Sequence, residues 1–168
     1  MTASLLDDAL AHHIWATERL IDACQSLTPE QLATPAPGTY GSVLDTFRHL
    51  VGTDCWYLTF FRTGPRAIAE GAEADAGLDA LSAAITANGD AWMAVLASNP
   101  DGETDMVEHG DGWDFHSPLG FRLAQVIQHG TDHRSQVCTA LTSFGVEPPQ
   151  IDLWAYGEAT GRTRGVYL

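Results

Sequence analysis

The sequence contains no lysine, and its eight basic residues, all arginine, face 22 acidic residues. The formal net charge of the 168-residue chain is therefore −14 at pH 7. A surface with this charge repels phosphate backbones and anionic lipid headgroups. We therefore expect neither nucleic acid nor a membrane among the partners of this protein.

Long apolar runs are also missing, and no uninterrupted apolar stretch approaches the roughly 20 residues that a membrane-spanning helix needs. The N-terminal segment meets two acids, Asp7 and Asp8, before any basic residue, which is unlike a secretory signal peptide. Cysteine is scarce, and Cys24, Cys55 and Cys138 each lie within an apolar helical pattern. We expect these thiols to be reduced core residues of a cytoplasmic protein.

Apolar residues recur at three- and four-residue steps in four segments, which is the spacing of amphipathic helices. These segments run from about Ala3 to Cys24, from Ser42 to about Arg62, from about Leu78 to Ala97, and from Ser117 to about Phe144. The apolar fraction of 45% is ordinary for a folded protein with a packed core. Length and pattern together predict one all-α domain over residues 1–168, built as a four-helix bundle.

Capping side chains mark three predicted helix starts: Thr28 with Gln31, Ser42 with Asp45, and Ser117 with Pro118. Gly145 is expected to end the last helix in a left-handed conformation. Before that helix, residues 105–108 and 113–115 flank a Gly-rich turn, which predicts a small β-hairpin. Residues 67–79 are expected to form a surface loop. The tail from Glu147 is expected to pack on the bundle as loop and short turns.

The most informative pair of residues is His129 and His133, in the predicted last helix. Residues four apart lie one turn above each other on one helix face, so both imidazoles can reach a single ion. The stripe continues through positions that a bundle fills with core residues: Val126, Val137, Ala140 and Phe144. The spacing alone leaves a second interpretation open, with one buried and one surface histidine.

His49 lies in the second long helix, on a face shared with Thr53, Trp56 and Phe60. Taken alone, it is interpreted as a hydrogen-bonded core histidine. If the second and last helices are neighbours, however, it completes a three-histidine site with open positions for water or substrate. Imidazole ligands suit Zn²⁺, Ni²⁺, Cu²⁺ or Fe²⁺. His12 and His13 are expected at the surface or an interface, although His13 could approach the site, and His109 and His116 are expected in loops.

These features together resemble the DinB/YfiT family of small helical-bundle proteins. The matching segments follow in order along the chain: Trp15 to Leu20, Leu27 to Leu32, Ser42 to Trp56, His129 to Gln136, and Pro149 to Asp152. In that family one histidine of the second helix and a pair in the last helix ligate a metal. The resemblance therefore implies His49, His129 and His133 as ligands of Zn²⁺ or Ni²⁺, and a homodimer. Characterised members include thiol S-transferases and isomerases that use bacillithiol, mycothiol or glutathione.

The leading hypothesis is a metal-dependent enzyme acting on a small molecule, as a thiol S-transferase or a hydrolase. A divalent ion lowers the pKa of a bound thiol or water, and the thiol would be one such as mycothiol or bacillithiol. Catalytic residues stay unassigned, with Asp54, Tyr57 and Asp132 as candidates for acid–base help. The alternatives are a non-catalytic metal- or ligand-binding bundle, as in a stress-related, sensor or partner protein, and a bundle without metal.

Overall fold

The computed structural model describes residues 6–61, 72–98 and 100–165. Within these ranges lie six α-helices and two β-strands: α1 (Asp7–Cys24), α2 (Pro29–Ala33), α3 (Val43–Leu58), α4 (Leu78–Ala97), β1 (Asp105–Gly110), β2 (Trp113–Pro118), α5 (Leu119–Ser143) and α6 (Leu153–Thr160). One turn of 3₁₀-helix precedes α4 at Ala72–Asp75. The predicted all-α fold with a hairpin before the last long helix is confirmed.

The four long helices form a ring in which α1 and α3 each pack against both α4 and α5. Their inward faces bury large apolar side chains: Leu10, Leu20, Ile21, Phe47, Leu50, Leu81, Ile85, Trp92 and Leu141. Burying a side chain of this size stabilises the fold by about 1.5–3 kcal/mol. The ring makes α3 and α5 neighbours, which is the condition under which His49 can meet the histidine pair.

Two of the predicted capping boxes are confirmed. The Thr28 hydroxyl accepts from the Gln31 backbone N–H, and the Gln31 side chain accepts from the Thr28 N–H. Ser42 and Asp45 make the same reciprocal pair at the start of α3. These hydrogen bonds satisfy backbone donors that have no partner within the first helical turn.

The predicted cap at Ser117 is wrong. Ser117 pairs with Met106 in the antiparallel ladder, so its backbone belongs to β2 and not to a helix start. The residue before α5 is Pro118, which makes no side-chain capping hydrogen bond. The hairpin itself is confirmed, and Gly112 at its turn has a φ of 78°.

The tail differs from the expected loop and short turns, because it contains the helix α6, which packs on α1. The Asp152 carboxylate caps α6 by accepting from the backbone N–H groups of Trp154 and Ala155. Gly161 ends it in the left-handed region, with a φ of 72°. An Asp cap and a terminal Gly are sequence signals for a helix, and they mark a segment too short to show apolar periodicity.

The predicted end of the last long helix agrees with the structure, whereas the predicted end of the second long helix does not. Gly145 adopts the left-handed conformation after α5, with a φ of 75°. The second long helix ends at Leu58, earlier than its expected end at about Arg62, a residue outside the described ranges. Of the predicted loop 67–79, residues 67–71 lie outside the described ranges, and the described part contains the 3₁₀ turn Ala72–Asp75 and the start of α4 at Leu78. No helix in the described ranges is both long and apolar enough to cross a membrane.

Candidate metal centre

Three imidazoles converge where α3 packs against α5. The Nε2 atom of His129 lies 3.1 Å from the Nε2 atom of His49 and 3.1 Å from that of His133. The ring centroids of His129 and His133 are 4.4 Å apart, as one helical turn between them requires. In the part of the chain that the structure describes, this is the one cluster of three or more potential metal ligands.

The spacing of these nitrogens fits a single divalent ion. Two nitrogens that each bind an ion at about 2.1 Å lie about 3.0–3.4 Å apart when the angle between them is octahedral to tetrahedral. The two 3.1 Å separations fall in that range. Neutral imidazole nitrogen is a ligand for Zn²⁺, Ni²⁺ and other transition metals, so the cluster is compatible with a metal-binding protein.

Gln136 lies behind the cluster and contacts it from one turn further along α5. Its side-chain Oε1 is 3.0 Å from Nδ1 of His133 and 3.0 Å from the backbone nitrogen of Tyr40. The second ring nitrogen of a metal-ligating histidine is usually held by an acceptor of this kind. His133 therefore has a hydrogen-bond partner of this kind on the ring nitrogen that faces away from the other two histidines.

Aromatic rings flank the three histidines on two sides. The Tyr40 ring stacks on His49 at a centroid distance of 4.1 Å and meets His133 edge-on at 5.4 Å. The ring centroid of Tyr57, in the last turn of α3, lies 6.5 Å from that of His129. Tyr40 is 55% exposed and forms the outer wall of the site, whereas Tyr57 is half-buried.

A comparison of the sequence with protein families finds a matching family model. The sequence model of the DinB family matches residues 1–165, nearly the whole chain. The chain belongs to the DinB family. A comparison with curated proteins finds no match. The family resemblance of the sequence is thereby confirmed, and the helical fold agrees with it.

Two imidazoles of the histidine cluster in this DinB-family protein have lowered pKa values. Burial is the main cause of the lowered pKa of His49, and the neighbouring His133 adds to it. Burial, followed by the imidazoles of His133 and His49, lowers the pKa of His129 to about 4. Both rings are therefore neutral at pH 7, and a neutral ring is the form that binds a metal.

We predict that the metal-free protein loses stability as the pH falls from about 6.5 towards 4, in part through His129. The unfolded chain, in which an ordinary histidine pKa is about 6.5, binds a proton there that the folded state does not bind, so acid favours unfolding. His129→Gln removes this contribution. Urea unfolding followed by tryptophan fluorescence, with chelator present, should show a weaker loss between pH 8 and pH 5 in the variant. An equal loss in both proteins would contradict the prediction.

The candidate acid–base residues have three different surroundings. Tyr57 is half-buried beside His129, and burial is the main cause of its raised pKa, so its hydroxyl stays protonated at neutral pH. Asp54 is 2% exposed, and its two carboxylate oxygens share the single N–H of Trp92, at 3.0 and 3.1 Å from Nε1. Asp132 is exposed on α5, away from the buried face that carries its neighbour His133. Of these three candidates, only Tyr57 has a side chain in ring contact with a histidine of the cluster.

A buried polar chain connects α1, α3 and α5 next to the cluster. The Nη1 atom of Arg134 lies 2.9 Å from Nδ1 of His13, and Nε2 of His13 lies 3.4 Å from an oxygen of Asp54. Arginine can only donate, so Nδ1 of His13 accepts. The ring proton then lies on Nε2, on the side of Asp54, where it makes no hydrogen bond. A neutral imidazole thus separates a buried carboxylate from a buried guanidinium. We refer to Asp54, His13 and Arg134 as the buried relay.

The expectation that His13 lies at the surface or an interface is wrong, because its side chain is 1% exposed. The close approach of α1 and α5 is possible because residue 130 is glycine: a Cβ there would lie 2.3 Å from Nδ1 of His13. Sequence reasoning missed Tyr40, Gln136 and Gly130 as parts of the site. The available signal was position: Gln136 lies three residues after His133 and Gly130 directly follows His129, on the predicted ligand helix.

Proposed function

We propose that this protein is a metal-dependent enzyme that binds one divalent ion, Zn²⁺ or Ni²⁺, through His49, His129 and His133. The observation that carries the proposal is the convergence of the three Nε2 atoms, two pairs of which are 3.1 Å apart. Three protein ligands leave coordination positions for a water or a substrate, as catalytic sites do and closed structural sites do not. The hydrogen bond from His133 to Gln136 supports the same assignment.

A bound ion of this kind supplies a nucleophile near neutral pH by lowering the pKa of a thiol or water that it coordinates. Within the proposal, the reaction is the transfer of a low-molecular-weight thiol, such as mycothiol or bacillithiol, or hydrolysis of a small substrate. Tyr40 and Tyr57 would hold the substrate between two aromatic walls. The Tyr57 hydroxyl, protonated at neutral pH, would donate a hydrogen bond to it.

Exposed aromatic side chains give the expected homodimer a place to form. Trp113, Phe115 and Phe121 are each at least half exposed, on β2 and at the start of α5. Exposed apolar side chains that cluster on a surface are typical of protein–protein contacts, and we propose that these three residues form such a cluster. The homodimer and the small-molecule substrate belong to the proposal, as does a cytoplasmic location.

The proposal is tested by the metal content of untagged protein purified without chelator. Elemental mass spectrometry should find close to one equivalent of Zn²⁺ or Ni²⁺ in the wild type. His49→Ala and the double variant His129→Ala/His133→Ala should each lose it, because a site that lacks a ligand binds far more weakly. His116→Ala is the matched control, since this histidine is exposed on the hairpin and pairs with Asp105. It should keep the metal.

Measuring turnover distinguishes a metal-dependent enzyme from a non-catalytic metal-binding bundle. Metal-loaded wild type is incubated with a panel of thiols and electrophiles and with a panel of esters and amides, and His49→Ala serves as the blank. Activity that is absent from this variant would support the enzyme. Bound metal that raises the melting temperature without any turnover would support a non-catalytic metal-binding bundle. Metal that is absent from a folded wild type, even after Zn²⁺ or Ni²⁺ is added back, would overturn the metal site itself.

A further inference from the structure

The side-chain oxygen of Gln136 is shared by two donors, and this arrangement fixes where the proton of His133 lies. A backbone N–H can only donate, so the Gln136 atom 3.0 Å from the Tyr40 nitrogen is the carbonyl oxygen. The same oxygen lies 3.0 Å from Nδ1 of His133, and it can only accept. Nδ1 therefore carries the proton. The Nε2 atom, which faces His129, then presents its lone pair.

The second donor connects Gln136 to the outer wall of the site. Tyr40 belongs to a loop that is closed by a β-bridge between Pro35 and Ser42, and by the Thr39 hydroxyl, whose one proton can be donated to the carbonyl of Ala36 or of Gly41. Its ring covers His49 and His133 but is 55% exposed, so packing holds it from one side alone. The hydrogen bond from the Tyr40 backbone to Gln136 ties this loop to α5.

We propose that Gln136 is a positioning residue that holds His133 as its Nδ1–H tautomer and keeps the Tyr40 ring over His49 and His133. The metal-affinity part of this inference rests on the proposed function, whereas the tautomer is a property of the protein alone. Without the amide oxygen, either nitrogen of His133 can carry the proton, and the Nε2–H form cannot bind an ion. An acceptor behind a ligating histidine typically contributes about 10–100-fold in metal affinity.

The test compares Gln136→Leu with Gln136→Glu, which keeps an acceptor oxygen, and with Gln128→Leu. Gln128 is exposed on the same helix, so the last variant makes the same chemical change away from the site. The Kd for Zn²⁺ is measured by competition with a chelator, and folding is checked by circular dichroism. We expect Gln136→Leu to weaken binding about 10–100-fold. Gln136→Glu and Gln128→Leu should stay close to wild type.

A second readout uses the metal-free protein. The ¹⁵N chemical shifts of the His133 ring distinguish a protonated from an unprotonated nitrogen. Wild type should carry the proton on Nδ1, and Gln136→Leu should show a mixture of tautomers. A wild-type proton on Nε2 would overturn the inference even if every variant at position 136 failed to fold.

The two readouts also separate this inference from the proposed function. Protein that binds no metal but shows the Nδ1–H form in wild type and loses it in Gln136→Leu would overturn the function and support the positioning role. Protein that binds metal equally well with glutamine or leucine at position 136, with an unchanged His133 tautomer, would overturn the positioning role and support the metal site.

Discussion

Replacing Asp54 with alanine is expected to lower the free energy of unfolding by up to about 3–5 kcal/mol, the size of effect reached when a buried charge loses its counter-charge. Asp54 and Arg134 are 2% and 3% exposed, and the His13 ring lies between them. Burial lowers the pKa of Arg134 to about 10, so the guanidinium is still charged at pH 7. Without Asp54 that charge stays buried and uncompensated, and the Trp92 N–H loses its acceptor.

Urea denaturation of metal-free protein at pH 7 measures this effect. Asp132→Ala is the matched control, because it removes an exposed carboxylate from the helix that carries Arg134, and it should change stability by less than about 0.5 kcal/mol. Asp54→Asn keeps an acceptor for Trp92 while it removes the charge, so its cost should lie between the two. Equal costs for Asp54→Ala and Asp132→Ala would show that the buried relay contributes nothing to stability.

The helices were predictable because their signals are local. Capping boxes at Thr28 and Ser42 involve residues three apart, and they formed as the sequence indicated. The spacing of His129 and His133 on one helix is also a local property, and it brings their Nε2 atoms to 3.1 Å. Whether His49 joins the pair depended on which helices are neighbours, and the sequence left that open. In the structure α3 packs against α5, so the condition is met.

The parts that escaped prediction depend on contacts between distant segments. The Tyr40 backbone and Gln136 are 96 residues apart, and His13 and Arg134 are 121 apart. No periodicity or spacing rule connects such residues, because helix order and rotation decide which of them meet. The predicted cap at Ser117 was wrong for a related reason. A serine before proline resembles a helix cap, but here pairing with Met106 keeps Ser117 in a strand. Tertiary pairing overrode a local preference at that position.

Replacing Gly130 with alanine is expected to lower the free energy of unfolding, because overpacking a core usually costs about 1–3 kcal/mol. The new Cβ would lie 2.3 Å from Nδ1 and 2.4 Å from Cε1 of His13, and 2.8 Å from Nη1 of Arg134. Alanine is better than glycine by about 1 kcal/mol in the interior of a helix, so a loss of stability would mean that the clash outweighs this gain. The His13 ring is 1% exposed and has little room to retreat.

A double-mutant cycle identifies the clash as the cause. His13→Ala should cost less in the Gly130→Ala background than in the wild type, because removing the ring also removes the atoms that the new methyl group meets. Additive effects within about 0.5 kcal/mol would mean that the alanine acts elsewhere. Since Gly130 follows His129 directly, a forced separation of α1 and α5 should also weaken Zn²⁺ binding in Gly130→Ala, and His13→Ala should restore part of it. Recovery of stability without recovery of Zn²⁺ binding would separate the buried relay from the histidine cluster.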